Sequence, residues 1–132
     1  MDYRSLLPNK MNILREVFFV FIGGGIGCSI RYLISKLNSP SFPLGTFIVN
    51  LFGCFLLGVF MSWAFKNLQN DWVIFLTFGI CGGVTTFSAF SHEALFMIKQ
   101  ENWILFITYS LSSIILGILM IRFGYSFLDT TN

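Results

Sequence analysis

The feature that most constrains this chain is its division into four long apolar stretches joined by short connectors. The stretches run from Leu14 to Leu37, Leu44 to Phe65, Trp72 to Ile98 and Trp103 to Phe127. Each offers the ~20 apolar residues that a helix needs to cross a bilayer. With 55% apolar and 11% charged residues, the chain has too little polar surface for a water-soluble domain. The sequence predicts an all-α membrane protein, with residues 1–132 forming a single four-helix transmembrane domain.

Several functional classes are excluded by what the spans contain. His92 is the single histidine, and a zinc-protease motif would need a second histidine where Phe96 stands. The three cysteines, Cys28, Cys54 and Cys81, lie within spans, and we expect packing residues rather than a disulfide or metal ligands. No basic cluster suited to nucleic acid is present. The sequence therefore predicts neither an enzyme nor a nucleic-acid-binding protein.

The distribution of Lys and Arg gives only a weak signal for orientation in the membrane. With four spans, the side that holds both termini would carry Arg4, Lys10, Arg15, Lys66 and Arg122. The opposite side would carry Arg31, Lys36 and Lys99. Since orientation follows the Lys/Arg bias of short loops, five against three leaves two topologies open. The chain either inserts both ways and forms antiparallel pairs, or keeps an ordinary topology with its termini inside.

The third stretch contains residues that a plain membrane anchor does not need. Gly82-Gly83-Val84-Thr85-Thr86 combines poor helix formers, so we expect a break near the middle of this helix. A broken membrane helix frees carbonyls that can bind a cation and N–H groups that favour an anion. Phe87 and Phe90 share a face beyond the break, and a second stripe joins Thr86 and Phe90 to Glu93. Because buried polar groups in hydrocarbon need partners, this segment predicts a site for a small solute.

The second stretch carries an asparagine at membrane depth. Thr46, Asn50 and Gly53 are spaced four and three residues apart, which places them on one helical face. Asn50 serves either as interhelical glue or as an amide donor to an anion.

The first and last stretches carry weaker polar signals. Gly23 and Gly27 share a face that allows close helix approach. Arg31 either snorkels to head groups or raises the anion concentration at a vestibule. Tyr109 and Ser113, four residues apart, form either a packing seam or a hydroxyl ladder along an anion path.

In order and spacing, these pieces resemble the CrcB/Fluc fluoride channels over essentially the whole chain. The matching pieces are Gly24-Gly25-Ile26-Gly27 with Arg31-Tyr32, the segment from Gly45 to Asn50 with Gly53, and the segment from Gly82 to Ser91 followed by Glu93. The resemblance implies a passive channel that exports cytoplasmic fluoride through a bacterial cell membrane and so relieves fluoride toxicity. It also implies a dual-topology antiparallel homodimer with two pores, although related chains also pair as two different subunits.

The resemblance further implies roles for individual residues. Those carried to the fluoride pore are Asn50, Phe87, Ser88, Phe90, Thr86, Glu93, Tyr109, Ser113 and Arg31. A structural Na⁺ at the dimer interface would be held by backbone carbonyls of Gly82 and Thr85. Ala89 departs from the family, which often has a hydroxyl residue there.

Two other functions stay open on the residues alone. A small proton-coupled multidrug exporter would use a membrane-embedded carboxylate as its switch, and Glu93 is the candidate. A structural membrane subunit without transport activity would need none of the polar residues of the third stretch.

Overall fold

A computed structural model of the protein describes residues 10–64 and 71–129, and all regular structure in these ranges is helical. Helix α1 spans Lys10–Ser35, α2 spans Leu44–Ala64, and α6 spans Trp103–Asp129. Between α2 and α6 lie α3 (Asp71–Ile74), a π-helical segment (Phe75–Cys81), α4 (Gly82–Val84) and α5 (Phe87–Lys99). These four pieces follow one another along one path, which we refer to as the third span.

Four helices are long and apolar enough to cross a membrane. They run over Ile13–Ser35, Leu44–Trp63, Asp71–Lys99 and Trp103–Phe127. The predicted stretches agree with these bounds within two residues at each end; Phe65, Arg4 and Lys66 lie outside the described residues. Large apolar side chains point outward, with Leu14 79% and Ile104 80% exposed, as contact with lipid requires. The protein is therefore a multi-pass membrane protein, as predicted.

Helix α1 packs against the third span through glycine pairs. A Cβ on Gly23 would lie 2.9 Å from the Cα of Gly79, and one on Gly83 would lie 2.6 Å from the carbonyl oxygen of Gly24. Gly27 likewise approaches the backbone of Ile80 and Gly83. Later residues of α1 contact later residues of the third span, so the two segments run parallel. The predicted close approach of the Gly23 and Gly27 face is confirmed, because only a hydrogen at Cα lets the backbones meet.

Helices α2 and α6 form the most extensive contact of the described residues. Gly124 packs against the Phe55 carbonyl, and Gly58 packs against the Ile121 carbonyl. Beside this contact the rings of Phe55 and Phe123 lie with centroids 5.8 Å apart. Small residues that bring the backbones together, with aromatic rings at the side, are typical of helix association in lipid.

An ion pair fixes the two parallel spans at the end where both begin. Arg15 of α1 pairs with Asp71, the first residue of α3. The Arg15 side chain is 66% exposed and Asp71 is 26% exposed, so the pair lies at the surface of the helix bundle. One of the arginines counted in the charge bias is thus paired with a carboxylate.

Candidate functional site

The third span is interrupted at Thr85 and Thr86. Thr85 has φ −77° and ψ 151°, and Thr86 has φ −148° and ψ 116°, both extended. The predicted break is therefore present, but it follows the glycine pair, since Gly82 itself is helical at φ −62° and ψ −35°. Helix α5 restarts at Phe87, with the Thr86 hydroxyl accepting the Ala89 N–H at 3.2 Å as an N-cap.

Asn50 supplies the hydrogen bonds that the interruption leaves open. Its Oδ1 accepts the Thr86 N–H at 2.7 Å, and its Nδ2 donates to the Thr86 carbonyl at 3.2 Å. In a continuous helix that N–H would go to the Gly82 carbonyl. The contacts within the chain match the interhelical role predicted for Asn50, and the amide carries a second N–H as well.

The predicted polar face of α2 lies against the third span. Thr46, 2% exposed, donates its hydroxyl to Glu93, and Asn50 bonds Thr86. Gly53 lies against the methyl group of Thr85. The three α2 residues thus share a face, as predicted, and this face follows the third span from its break toward its end.

Arg31 also binds at the break, from the side of α1. Its Nε donates to the Gly83 carbonyl at 3.0 Å, and its Nη2 lies 3.3 Å from the Cys28 sulfur. A cavity of about 240 Å³ lies beside it, lined by Cys28, Arg31, Tyr32, Ser35, Thr46, Val49, Thr86 and Ala89. The arginine therefore faces a cavity that reaches Thr86, and it binds the helical backbone two residues before the interruption begins.

Glu93 is the centre of a group of four side chains that we name the carboxylate cluster: Asn38, Thr46, Glu93 and Tyr109. Its Oε1 accepts the Thr46 hydroxyl at 2.5 Å and the Asn38 Nδ2 at 3.1 Å. Its Oε2 accepts the Tyr109 hydroxyl at 2.7 Å. Glu93 and Tyr109 lie six residues from the span ends, so the cluster lies about 9 Å inside the helices at 1.5 Å per residue. Sequence reasoning missed Asn38; a polar side chain directly before the Ser-Pro connector was the available signal.

Aromatic rings lead from the break to the carboxylate cluster. The ring centroids of Phe87 and Phe90 are 5.8 Å apart, and those of Phe90 and Tyr109 are 5.3 Å apart. Phe87 is 79% exposed, and the hydroxyl of Ser88, also exposed, lies 3.2 Å from that of Thr86. We name Phe87, Ser88, Phe90, Glu93 and Tyr109 the α5 path. The α5 path lies partly at the surface of the chain, since Phe87 and Ser88 are exposed.

Ser113 lies one helical turn beyond Tyr109. Its hydroxyl is buried, as is that of Ser110, and neither has a hydrogen-bond partner among the described residues. Ser113 therefore does not join the carboxylate cluster. Buried hydroxyls without a partner are uncommon in native proteins and leave donors available to a ligand.

The residues proposed by resemblance for a sodium site fit such an ion in their chemistry. Gly82 is exposed, and a Cβ there would meet no atom within 4 Å, so its backbone faces open space. The carbonyls of the last helical turn before a break lack intrahelical donors. Backbone oxygens are suitable ligands for a hard cation. Gly82 thus offers a carbonyl oxygen at the chain surface, and the half-buried Thr85, at the break, offers a second one.

Together these features define a class: a small multi-pass membrane protein with a polar and aromatic path beside an interrupted helix. The family described as CrcB-like protein, Camphor Resistance (CrcB), matches residues 18–125. The chain belongs to this family.

Relatives from several bacteria support this assignment. The chain is 40% identical over 116 residues to a protein of Phocaeicola vulgatus, covering 84% of this chain and 96% of that one. It is 40% identical over 119 residues to a protein of Azobacteroides pseudotrichonymphae, covering 86% and 95%. It is 42% identical over 109 residues to a protein of Oceanobacillus iheyensis, covering 80% and 84%. Each of these three proteins is named fluoride-specific ion channel FluC.

Proposed function

We propose that this protein is a passive, fluoride-selective channel that exports cytoplasmic fluoride across a bacterial cell membrane. The observation that carries the proposal is the α5 path. It joins the interrupted helix to the carboxylate cluster through neighbouring aromatic rings and hydroxyls. The names of the bacterial relatives support the choice of fluoride as the ion.

The chemistry of the path suits a small, strongly hydrated anion. Removing the water shell of an anion is costly unless other donors replace it. On the path, phenylalanine rings offer positive edges and Ser88 offers an O–H donor. Next to the path, Asn50 offers an N–H donor and Ser113 an O–H donor. No Lys or Arg occurs in α5 before Lys99 or in α6 before Arg122. Weak donors without a fixed cation let the anion leave as easily as it enters, which conduction requires.

A second copy of the chain would complete the path. Four spans are few to enclose a pore, and Phe87 is 79% exposed on the single chain. We propose an antiparallel homodimer with two pores, which the weak Lys/Arg bias permits. The carbonyls of Gly82 and Thr85 would hold a Na⁺ at the interface, where the ion would neutralise their dipoles and stabilise the pair.

Export follows from the membrane potential. A negative interior drives anions outward by about 2.3 kcal/mol per charge for each 100 mV, so a passive path needs no energy coupling. The drug-exporter alternative would need Glu93 as a freely exchanging switch. In the structure its carboxylate accepts three hydrogen bonds, from Asn38, Thr46 and Tyr109.

The test is fluoride efflux from liposomes that hold the purified protein and potassium fluoride, started with valinomycin. We expect fast fluoride release and little release from matched vesicles loaded with potassium chloride. Folded, reconstituted protein that releases no fluoride would overturn the proposal. In that case, proton-coupled efflux of a cationic dye, with and without Glu93→Gln, would test the exporter.

A further inference from the structure

Asn38, in the α1–α2 connector, uses both polar atoms of its side chain to bind the start of α2 and two other members of the carboxylate cluster. Its Oδ1 accepts the backbone N–H of Thr46, the third residue of α2, at 3.0 Å. That N–H is one of the helix-start donors that lack a partner within the helix. Asn38 itself is exposed, whereas Thr46 is 2% exposed. The side-chain amide of Asn38 thus connects the exposed connector to the buried Thr46.

The amide nitrogen of Asn38 fixes the direction of the hydrogen bonds around Glu93. Nδ2 lies 2.9 Å from the Thr46 hydroxyl oxygen and 3.1 Å from Oε1 of Glu93. A threonine hydroxyl has one proton. Because the oxygen of Thr46 accepts from Asn38, its own proton goes to Oε1, at 2.5 Å. The same amide therefore orients the hydroxyl and binds the carboxylate.

We propose that Asn38 is a positioning residue that holds the charge of Glu93 at the connector side of the α5 path. This inference rests on the proposed function. On the other side of the carboxylate, Tyr109 binds Oε2 and stacks beside Phe90. Without Asn38, Oε1 loses one of its two donors and the Thr46 hydroxyl can turn. The carboxylate is then free to rotate toward the rings, where a negative charge repels fluoride.

The substitution Asn38→Asp tests the role of the amide nitrogen of Asn38 while keeping a side-chain oxygen. Aspartate keeps an oxygen to accept the Thr46 N–H, so the start of α2 is retained. It loses both N–H donors and sets a second carboxylate against Glu93. We expect fluoride efflux to fall by about tenfold or more, the size expected for losing a hydrogen bond to a charged group. Efflux at the wild-type rate would overturn the proposal.

Ser39→Asp is the matched control for added charge. Ser39 is the next residue of the connector, is exposed, and its hydroxyl contacts only Ser41 and Phe42 among the described residues. We expect efflux close to wild type. An equal loss in Ser39→Asp and Asn38→Asp would assign the effect to surface charge and overturn a positioning role.

Exchanging the two groups tests positioning against a general loss of structure. In Asn38→Asp/Glu93→Gln the donor lies at position 93 and the acceptor at position 38, so the pair is complementary again. We expect this double variant to release fluoride severalfold faster than Asn38→Asp. No recovery would contradict the proposal.

A measurement without transport separates failure of this inference from failure of the proposed function. Thermal unfolding in detergent is compared for Asn38→Ala, Glu93→Ala and their combination, with Ser39→Ala/Glu93→Ala as the control cycle. We expect shifts in Tm that do not add for positions 38 and 93 but do add for 39 and 93. Additive shifts for 38 and 93 would overturn the inference. Coupled shifts in a protein that releases no fluoride would leave the contact standing and reject the channel function, and with it the transport role.

Discussion

Asn50 binds the interrupted backbone at two points, because it bonds both the N–H and the carbonyl of Thr86. Asn50→Asp keeps the acceptor, loses the donor and adds negative charge beside the path. We expect fluoride efflux to fall at least tenfold, from a lost hydrogen bond worth about 1 kcal/mol and from repulsion of the anion.

Asn102→Asp is the control for this change, measured in the same efflux assay. Asn102 accepts the Leu105 N–H at the start of α6, and aspartate caps a helix equally well. We expect efflux to be unchanged. If Asn50→Asp also conducts normally, Asn50 does not act on the permeating ion.

The rings of the α5 path lead to a second prediction at the residue scale. Phe87→Ile keeps an apolar side chain but removes the positive ring edge. We expect slower fluoride efflux, since the substitution removes a positive ring edge from the 79% exposed start of the α5 path. Phe18→Ile, at a 60% exposed position near the start of α1, should release fluoride like wild type. Equal rates in both variants would remove the ring edges from the mechanism.

At the scale of helices, the α2–α6 contact offers a matched pair of glycines on one face of α6. A Cβ at Gly124 would collide with the carbonyl of Phe55, whereas one at Gly117 would lie 3.5 Å from the Cys54 sulfur, an ordinary contact. We expect Gly124→Ala to destabilise the protein by about 1–3 kcal/mol, the usual cost of overpacking.

Gly117→Ala should leave stability nearly unchanged. The comparison is made from thermal unfolding of both variants in the same detergent. Similar Tm values for the two variants would contradict the close packing of Gly124 against the Phe55 carbonyl.

The position of the helix break shows which part of the third span could be predicted from the sequence. Gly82 and Gly83 are poor helix formers, yet both remain helical and Gly83 packs against α1. The break falls instead at Thr85 and Thr86, where Asn50 bonds the extended backbone. Low helix propensity predicted that the span would be interrupted. The contact with a distant helix decided at which residue.

At the scale of the whole molecule, the proposed antiparallel dimer predicts two orientations in one membrane. A reporter that works only outside the cell and one that works only inside, each fused to the C-terminus, should both be active. Activity of one reporter alone would show a single topology. Purified protein should have twice the mass of one chain, and a monomeric mass would instead call for a different, paired subunit.

The proposed sodium site predicts a dependence on the cation present. Replacing Na⁺ by N-methylglucamine, at constant chloride, should lower the Tm of the protein and slow fluoride efflux. A ligand that binds only the folded state stabilises it by mass action, so the Tm should rise again with added Na⁺. A Tm that does not change with Na⁺ would argue against a structural role for the ion.

The sequence by itself determined the four spans, the interruption of the third and the shared face of Thr46, Asn50 and Gly53. Hydrocarbon imposes these patterns locally, since it demands about 20 apolar residues per helix and a partner for each polar group. The tertiary structure alone decided which partners meet. Glu93 bonds residues 55, 47 and 16 positions away, and no local pattern specifies which donors reach a given carboxylate. For that reason the contact of Asn38 with Glu93 could be recognised only from the packed helices.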